Sequence, residues 1–248
     1  MKTCFIVTSS IQSTDKPLTY SATRSVFSNE ERFRQTMYTI SSIKNNYPDA
    51  KIYIVDSSKD YIKYSNFFQY YFGVEFYSLE ENNKEINYIV NNHKHKSYCE
   101  SLLIRTFTKQ KMKELIKYDL IFKVSGRYVI EINNKPSDPS KIYFKRPMVN
   151  NWKDYYDEVL PMVDRRNIEN DNCIRQYPTI IYAYGPNNIK RMLEIHENIL
   201  KITSSPNMEC YDTELLHYFY SREFQNDIVE TDWIVSGFYG SNGMFVRY

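Results

Sequence analysis

Two short runs rich in β-branched residues, TCFIVTS at 3–9 and AKIYIVDSS at 50–58, flank a segment in which Phe33, Met37, Ile40 and Ile43 recur at helical steps. Strand, amphipathic helix and strand in that order make a βαβ unit, whose strands run parallel and whose crossover is right-handed. Pro48 and Asp49 mark the stop before the second strand. Parallel strands need helices on their faces, so this unit commits the chain to an α/β layer fold.

The pattern continues with a short helix in NFFQYYF, a third strand in VEFYSL, and a mainly helical stretch from 91 to 119. The helical face there is broad, with Leu103, Ile104, Phe107 and Leu115 spread over a wide arc. DLIFKV at 119–124 is almost continuously apolar, as expected of a central parallel strand covered on both faces. After residue 130 the elements shorten: KIYFKRP, a polar aromatic stretch from Trp152 to Tyr156, the strand PTIIYAYG, and helices near 187–201 and 211–223. No linker, low-complexity hinge or internal repeat divides the 248 residues, so one domain spanning 1–248 is expected.

Lys and Arg number 32 against 30 Asp and Glu, a net charge of +2 that gives no global field for nucleic acid. Any anion site has to arise from local clustering. Four cysteines, Cys4, Cys99, Cys173 and Cys210, are widely separated without metal-ligand spacing and read as reduced thiols. No apolar run reaches the length of a membrane span or a signal-peptide core, so a soluble, cytoplasmic protein is expected, in the host cytoplasm if the chain is viral. Most of the 24 tyrosines reflect compositional bias.

In an open α/β sheet, ligands bind beyond the carboxyl ends of the strands, which puts IVDSS and KVSGRY on the binding edge. Asp56 suits a hydrogen bond to a base or ribose; its competing role is to cap the next helix, helped by Ser57 and Ser58. At the second strand end, Gly126 permits a sharp turn beside Ser125, while Lys123 and Arg127 suit a diphosphate through charge-assisted hydrogen bonds. A solvated surface turn is the alternative. Lys123 argues against it, because a lysine within an apolar strand is unfavourable without a partner.

NNHKHKSYCES adds Lys94 and Lys96 ahead of a long helix, whose first amides also favour anions. His93 and His95 lack a nearby acid at ligand spacing. Farther on, Glu209, Asp212 and Glu214 precede an apolar face of Leu215, Leu216 and Phe219. Capping explains one acid; another can serve as general base on an acceptor hydroxyl. His196, among Ile189, Met192 and Leu193, reads as a core histidine.

The segments VFSNEERFRQTMYTISSIKNNYPDAKIYIVDSS, HKSYCESLLIRTF and IFKVSGRYVI resemble GT-A type nucleotide-sugar glycosyltransferases, especially small viral and bacterial members. They cover about half the chain, mostly its first 130 residues. The resemblance implies a single GT-A-like α/β domain with a mostly parallel, Rossmann-like central sheet flanked by helices. Residues 1–130 would hold the nucleotide sugar, a UDP- or GDP-sugar, and residues 131–248 a glycan or glycoprotein acceptor. Asp56, Ser57, Lys94, Lys96, Lys123, Ser125, Gly126 and Arg127 would then bind substrate, and Asp212, Glu209 and Glu214 would be the catalytic candidates. Such enzymes commonly carry an Asp-x-Asp triplet that holds a divalent cation on the diphosphate, and KVSGRY stands where it is expected. One reading is that Lys123, Arg127 and Lys94 or Lys96 replace the metal. Manganese or magnesium held by one carboxylate and the phosphates is the other. A catalytically silent nucleotide- or glycan-binding module is the alternative function. A nucleotidyltransferase fits less well, since it would want paired acids for magnesium.

Overall fold

The computed structural model describes residues 1–18, 21–151, 173–204 and 213–248. In chain order the strands and helices are β1 (Thr3–Ser9), α1 (Asn29–Asn46), β2 (Lys51–Asp56), α2 (Tyr61–Phe72), β3 (Glu75–Ser78), α3 (Leu79–Asn82), α4 (Lys84–Asn92) and α5 (Lys96–Leu115). There follow β4 (Leu120–Ser125), β5 (Tyr128–Glu131), β6 (Ile142–Lys145), β7 (Met148–Asn151), β8 (Cys173–Gln176) and β9 (Ile181–Tyr184). Helices α6 (Ile189–Thr203) and α7 (Thr213–Ser221) precede β10 (Ile228–Thr231), β11 (Ile234–Phe238) and β12 (Phe245–Arg247).

Seven strands form one sheet in the order β10-β6-β9-β4-β1-β2-β3, with β9 antiparallel to both its neighbours and the other pairings parallel. This is the mostly parallel α/β sheet that the sequence pattern predicts. The helical stretch expected from 91 to 119 is interrupted: α4 ends at Asn92, and α5 begins afresh at Lys96 after His93, Lys94 and His95. Among the described residues, no helix is long and apolar enough to cross a membrane.

Strand alternation sorts the core onto the two faces. Cys4, Ile6 and Ile121 pack on the side of α5 and α6, whereas Phe5, Val7 and Phe122 pack with Ile40 and Ile43 of α1. Phe5 and Phe122 stack at 4.5 Å. Lys123 shares the parity of Ile121 and therefore faces α5.

Helix α1 starts at a capping box in which Ser28 Oγ accepts from Glu31 N and a Glu31 carboxylate oxygen accepts from Ser28 N. One of its faces carries Thr36, Thr39, Ser42 and Asn46 at helical steps, and these bind the backbone next to β5. Thr36 Oγ1 donates to the Gly126 carbonyl, Thr39 Oγ1 accepts from Tyr128 N, Ser42 Oγ accepts from Ile130 N, and Asn46 bonds Ile130 O and Ile132 N. On its other edge β5 pairs with β11, so side chains of a helix take the place of a neighbouring strand.

Candidate active site

A cavity of about 570 Å³ opens at the carboxyl ends of β1, β2 and β4. Thr8 and Ser9 close β1, Ser57 follows β2, Ser125 closes β4, and Gly126 and Arg127 follow it; all six line the cavity. The connection from 10 to 27 contributes Ser10, Ser13 and Arg24, and α5 contributes Lys96, Cys99 and Glu100. The second half of the chain adds Gln176, Thr179, Glu214 and Tyr239.

Beneath this surface lies Lys123, 1% exposed, with each ammonium proton directed to an acceptor. It forms an ion pair with Glu100 and donates to Ser125 Oγ (2.9 Å) and to the Thr179 carbonyl (2.6 Å). The expectation that Lys123 reaches phosphate is therefore corrected: its donors are saturated within the protein. Its function is to hold Glu100, Ser125 and the β8–β9 connection together. Burial pushes the Glu100 carboxyl up, but Lys123, Lys96 and Arg127 outweigh it and hold the pKa at about 2. Glu100 is thus a fixed negative charge at neutral pH.

Lys96, at the first turn of α5, opens onto the cavity. Crowding by protein and repulsion from Arg127 and Arg32, against attraction to Glu100 and Glu214, bring its pKa down to about 8. Arg32 is 7% exposed and donates to the Ser10 carbonyl (Nε 2.6 Å); burial, then Arg127, lower it to about 9. Arg24 bonds the carbonyls of Val90 and His93. A Glu214 carboxylate oxygen accepts from Thr179 Oγ1 at 2.8 Å.

Of the residues predicted from sequence, Ser57, Lys96, Ser125, Gly126, Arg127 and Glu214 meet at this cavity. Asp56 is fully buried behind it, and its two oxygens accept from Ile11 N (3.0 Å) and Ser58 N (2.7 Å). It anchors the loops after β1 and β2. Lys94 is exposed and off the cavity wall. Glu209 and Asp212 lie outside the described residues, as does the Trp152–Tyr156 stretch. Glu100, Arg32 and Thr179 escaped the sequence reading; the one signal toward Glu100 was that Lys123, inside an apolar strand, required a partner. His196 is buried as expected, bonded to Tyr182 Oη (3.0 Å) and near Ser101 Oγ (3.3 Å).

Among the described residues, no group of three or more His, Cys, Asp or Glu side chains that could hold a metal occurs. The two described carboxylates that line the cavity, Glu100 and Glu214, share its wall with Arg24, Arg32, Lys96 and Arg127. Four cations against two carboxylates leave two positive charges, a balance suited to an anion and unsuited to a dication.

No protein-family model matches the sequence, and no curated protein matches it. Solved structures match its fold. Galactosyltransferase LgtC in complex with donor and acceptor sugar analogs aligns with a TM-score of 0.50 at 8% identity, covering 93% of this chain and 73% of that one. Core-mannan synthase A (CmsA/Ktr4) from Aspergillus fumigatus, in its Mn/GDP form, aligns at 0.53 and 7% identity, covering 95% and 74%. At such identities the likeness is one of fold.

Proposed function

We propose that this chain, whose fold is GT-A-like, is a glycosyltransferase that moves a sugar from a nucleoside-diphosphate sugar to a glycan hydroxyl without a divalent metal. The observation that carries the proposal is the charge balance of the cavity: its surplus of two positive charges equals the two negative charges of a diphosphate linking nucleoside and sugar. UDP and GDP sugars both meet that requirement.

In the proposed reaction Arg127 and Lys96 hold the diphosphate by charge-assisted hydrogen bonds, with Arg32 behind them. The acceptor oxygen attacks the anomeric carbon, the bond from that carbon to the diphosphate oxygen breaks, and the leaving diphosphate carries away the electron pair. The acceptor proton passes to a carboxylate. Glu214 suits this role, since it lines the cavity and comes from the second half of the chain. Glu100 does not, because a carboxyl held at about 2 is a poor base. Asp212 and Glu209, from the same acidic run, remain candidates by sequence. Ser57 lies toward the nucleoside end, and Asp56 supports that end from below.

Calorimetric titration with UDP, GDP and their sugars in chelator, followed by donor hydrolysis, tests the proposal. Tight binding in chelator and slow hydrolysis are expected. Binding that disappears in chelator and returns with manganese would overturn metal independence. Binding without any turnover would leave a silent nucleotide-binding module.

A further inference from the structure

We infer that Thr39 and Gly240 are positioning residues for Arg127, Thr39 by fixing its backbone and Gly240 by leaving room for its guanidinium; the inference rests on the diphosphate reading of the cavity. Arg127 sits in a two-residue turn between β4 and β5. On each side of it a backbone group is held by a hydroxyl from α1: the Gly126 carbonyl by Thr36 Oγ1 (3.0 Å) and the Tyr128 amide by Thr39 Oγ1 (3.1 Å). Gly126 N also donates to Thr8 O (2.8 Å), tying the turn to the end of β1.

The hairpin of β11 and β12 presses on Arg127 from the other direction. A side chain at Gly237 would run into the Arg127 carbonyl oxygen and the Tyr128 ring, and a Cβ at Gly240 would overlap the Arg127 guanidinium. Gly240 itself is held in place, because its carbonyl accepts from Val26 N at 2.8 Å. The guanidinium therefore passes over Gly240 because no side chain occupies that space.

These contacts separate aim from folding. Alanine at Gly240 would meet only the movable end of a long side chain, so it should turn the guanidinium aside and leave the backbone intact. Valine at Thr39 keeps the shape of the residue but removes the acceptor for Tyr128 N, whereas serine keeps the acceptor. A merely structural Thr39 would change stability and leave anion affinity alone.

The test is titration of the full chain with inorganic pyrophosphate, alongside thermal unfolding. Wild type is expected to bind, and Arg127→Ala to bind at least about tenfold more weakly. Gly240→Ala should show a similar loss with an unchanged unfolding midpoint. Thr39→Val should weaken binding about fivefold, and Thr39→Ser should restore it to within about twofold. If Gly240→Ala and Thr39→Val both bind like wild type while Arg127→Ala does not, the positioning inference falls and the diphosphate reading stands. If Arg127→Ala binds like wild type, both fall.

Discussion

Lys123 and Glu100 form an ion pair under the cavity, with the lysine side chain 1% exposed and the glutamate 21%. Two residues from an apolar strand and a helix are thereby locked together. Replacing Lys123 with Met leaves Glu100 facing a low-dielectric floor and is expected to destabilise the fold by about 3–5 kcal/mol. Adding Glu100→Gln should recover part of that loss. Urea unfolding of the two single variants and the double variant measures it; additive effects would show that the pair is not coupled.

Acid should weaken the fold in two stages. His217, 1% exposed, donates from Nδ1 to the Thr213 carbonyl (2.9 Å), and burial lowers its pKa to about 4. The unfolded imidazole titrates near 6.5, so the unfolded chain takes up a proton first. The stability that this group contributes is present above about pH 6.5 and is lost as pH falls to about 4, roughly 3 kcal/mol in all. Buried His196, also lowered, acts in the same direction. Glu100 follows: its stabilisation is present above the ordinary carboxyl range and is lost as pH falls toward about 2. In urea titrations at pH 5, His217→Gln should take up about one proton fewer on unfolding than wild type. An unchanged pH slope would refute the assignment.

Diphosphate affinity should depend on pH through Lys96. With its pKa lowered to about 8, the free protein already carries the ammonium below that pH, so affinity is insensitive to this group there. Above it, binding a dianion requires proton uptake and the affinity falls as pH rises. Calorimetry at pH 8, below the Arg32 value of about 9, in buffers of different ionisation heat should detect about half a proton taken up, and Lys96→Met should remove most of it. Equal uptake in the variant would assign the proton elsewhere.

Glu214→Gln should separate binding from turnover. The amide oxygen can still accept from Thr179, so donor affinity is expected to stay near wild type. Transfer should fall about a hundredfold or more. A variant that transfers sugar at the wild-type rate would remove Glu214 as base and direct attention to Asp212.

The sheet was legible because local pattern determines it. Apart from Lys123, the run at Leu120–Val124 is apolar on both parities, and Phe33, Met37, Ile40 and Ile43 recur at helical steps. The candidate site was legible at strand ends, as at Ser57, Ser125 and Arg127, and at the helix starts that carry Lys96 and Glu214. Glu100 was not, because its partner stands 23 positions away and joins it only after α5 packs on the sheet. Asp56 and Lys123 illustrate the converse. Their residue types suit ligands, yet the backbone amides and acceptors that satisfy them come from segments whose proximity local sequence does not encode.

Antiparallel β9 gives the molecule a mechanical character. It is hydrogen-bonded to β4, whose end carries the cavity turn, and to β6, which in turn pairs with β10. The two halves of the chain therefore share one continuous beam, and rocking one against the other would require tearing the β4–β9 ladder in the middle of the core. Motion that admits or releases a ligand falls instead to the coverings above the strand ends. There the 10–27 connection and the β11–β12 hairpin meet through the bond from Val26 N to Gly240 O and the edge contact of the Phe27 and Phe238 rings. The floor is one continuous sheet, and the contacts that join the roof above it lie outside that sheet.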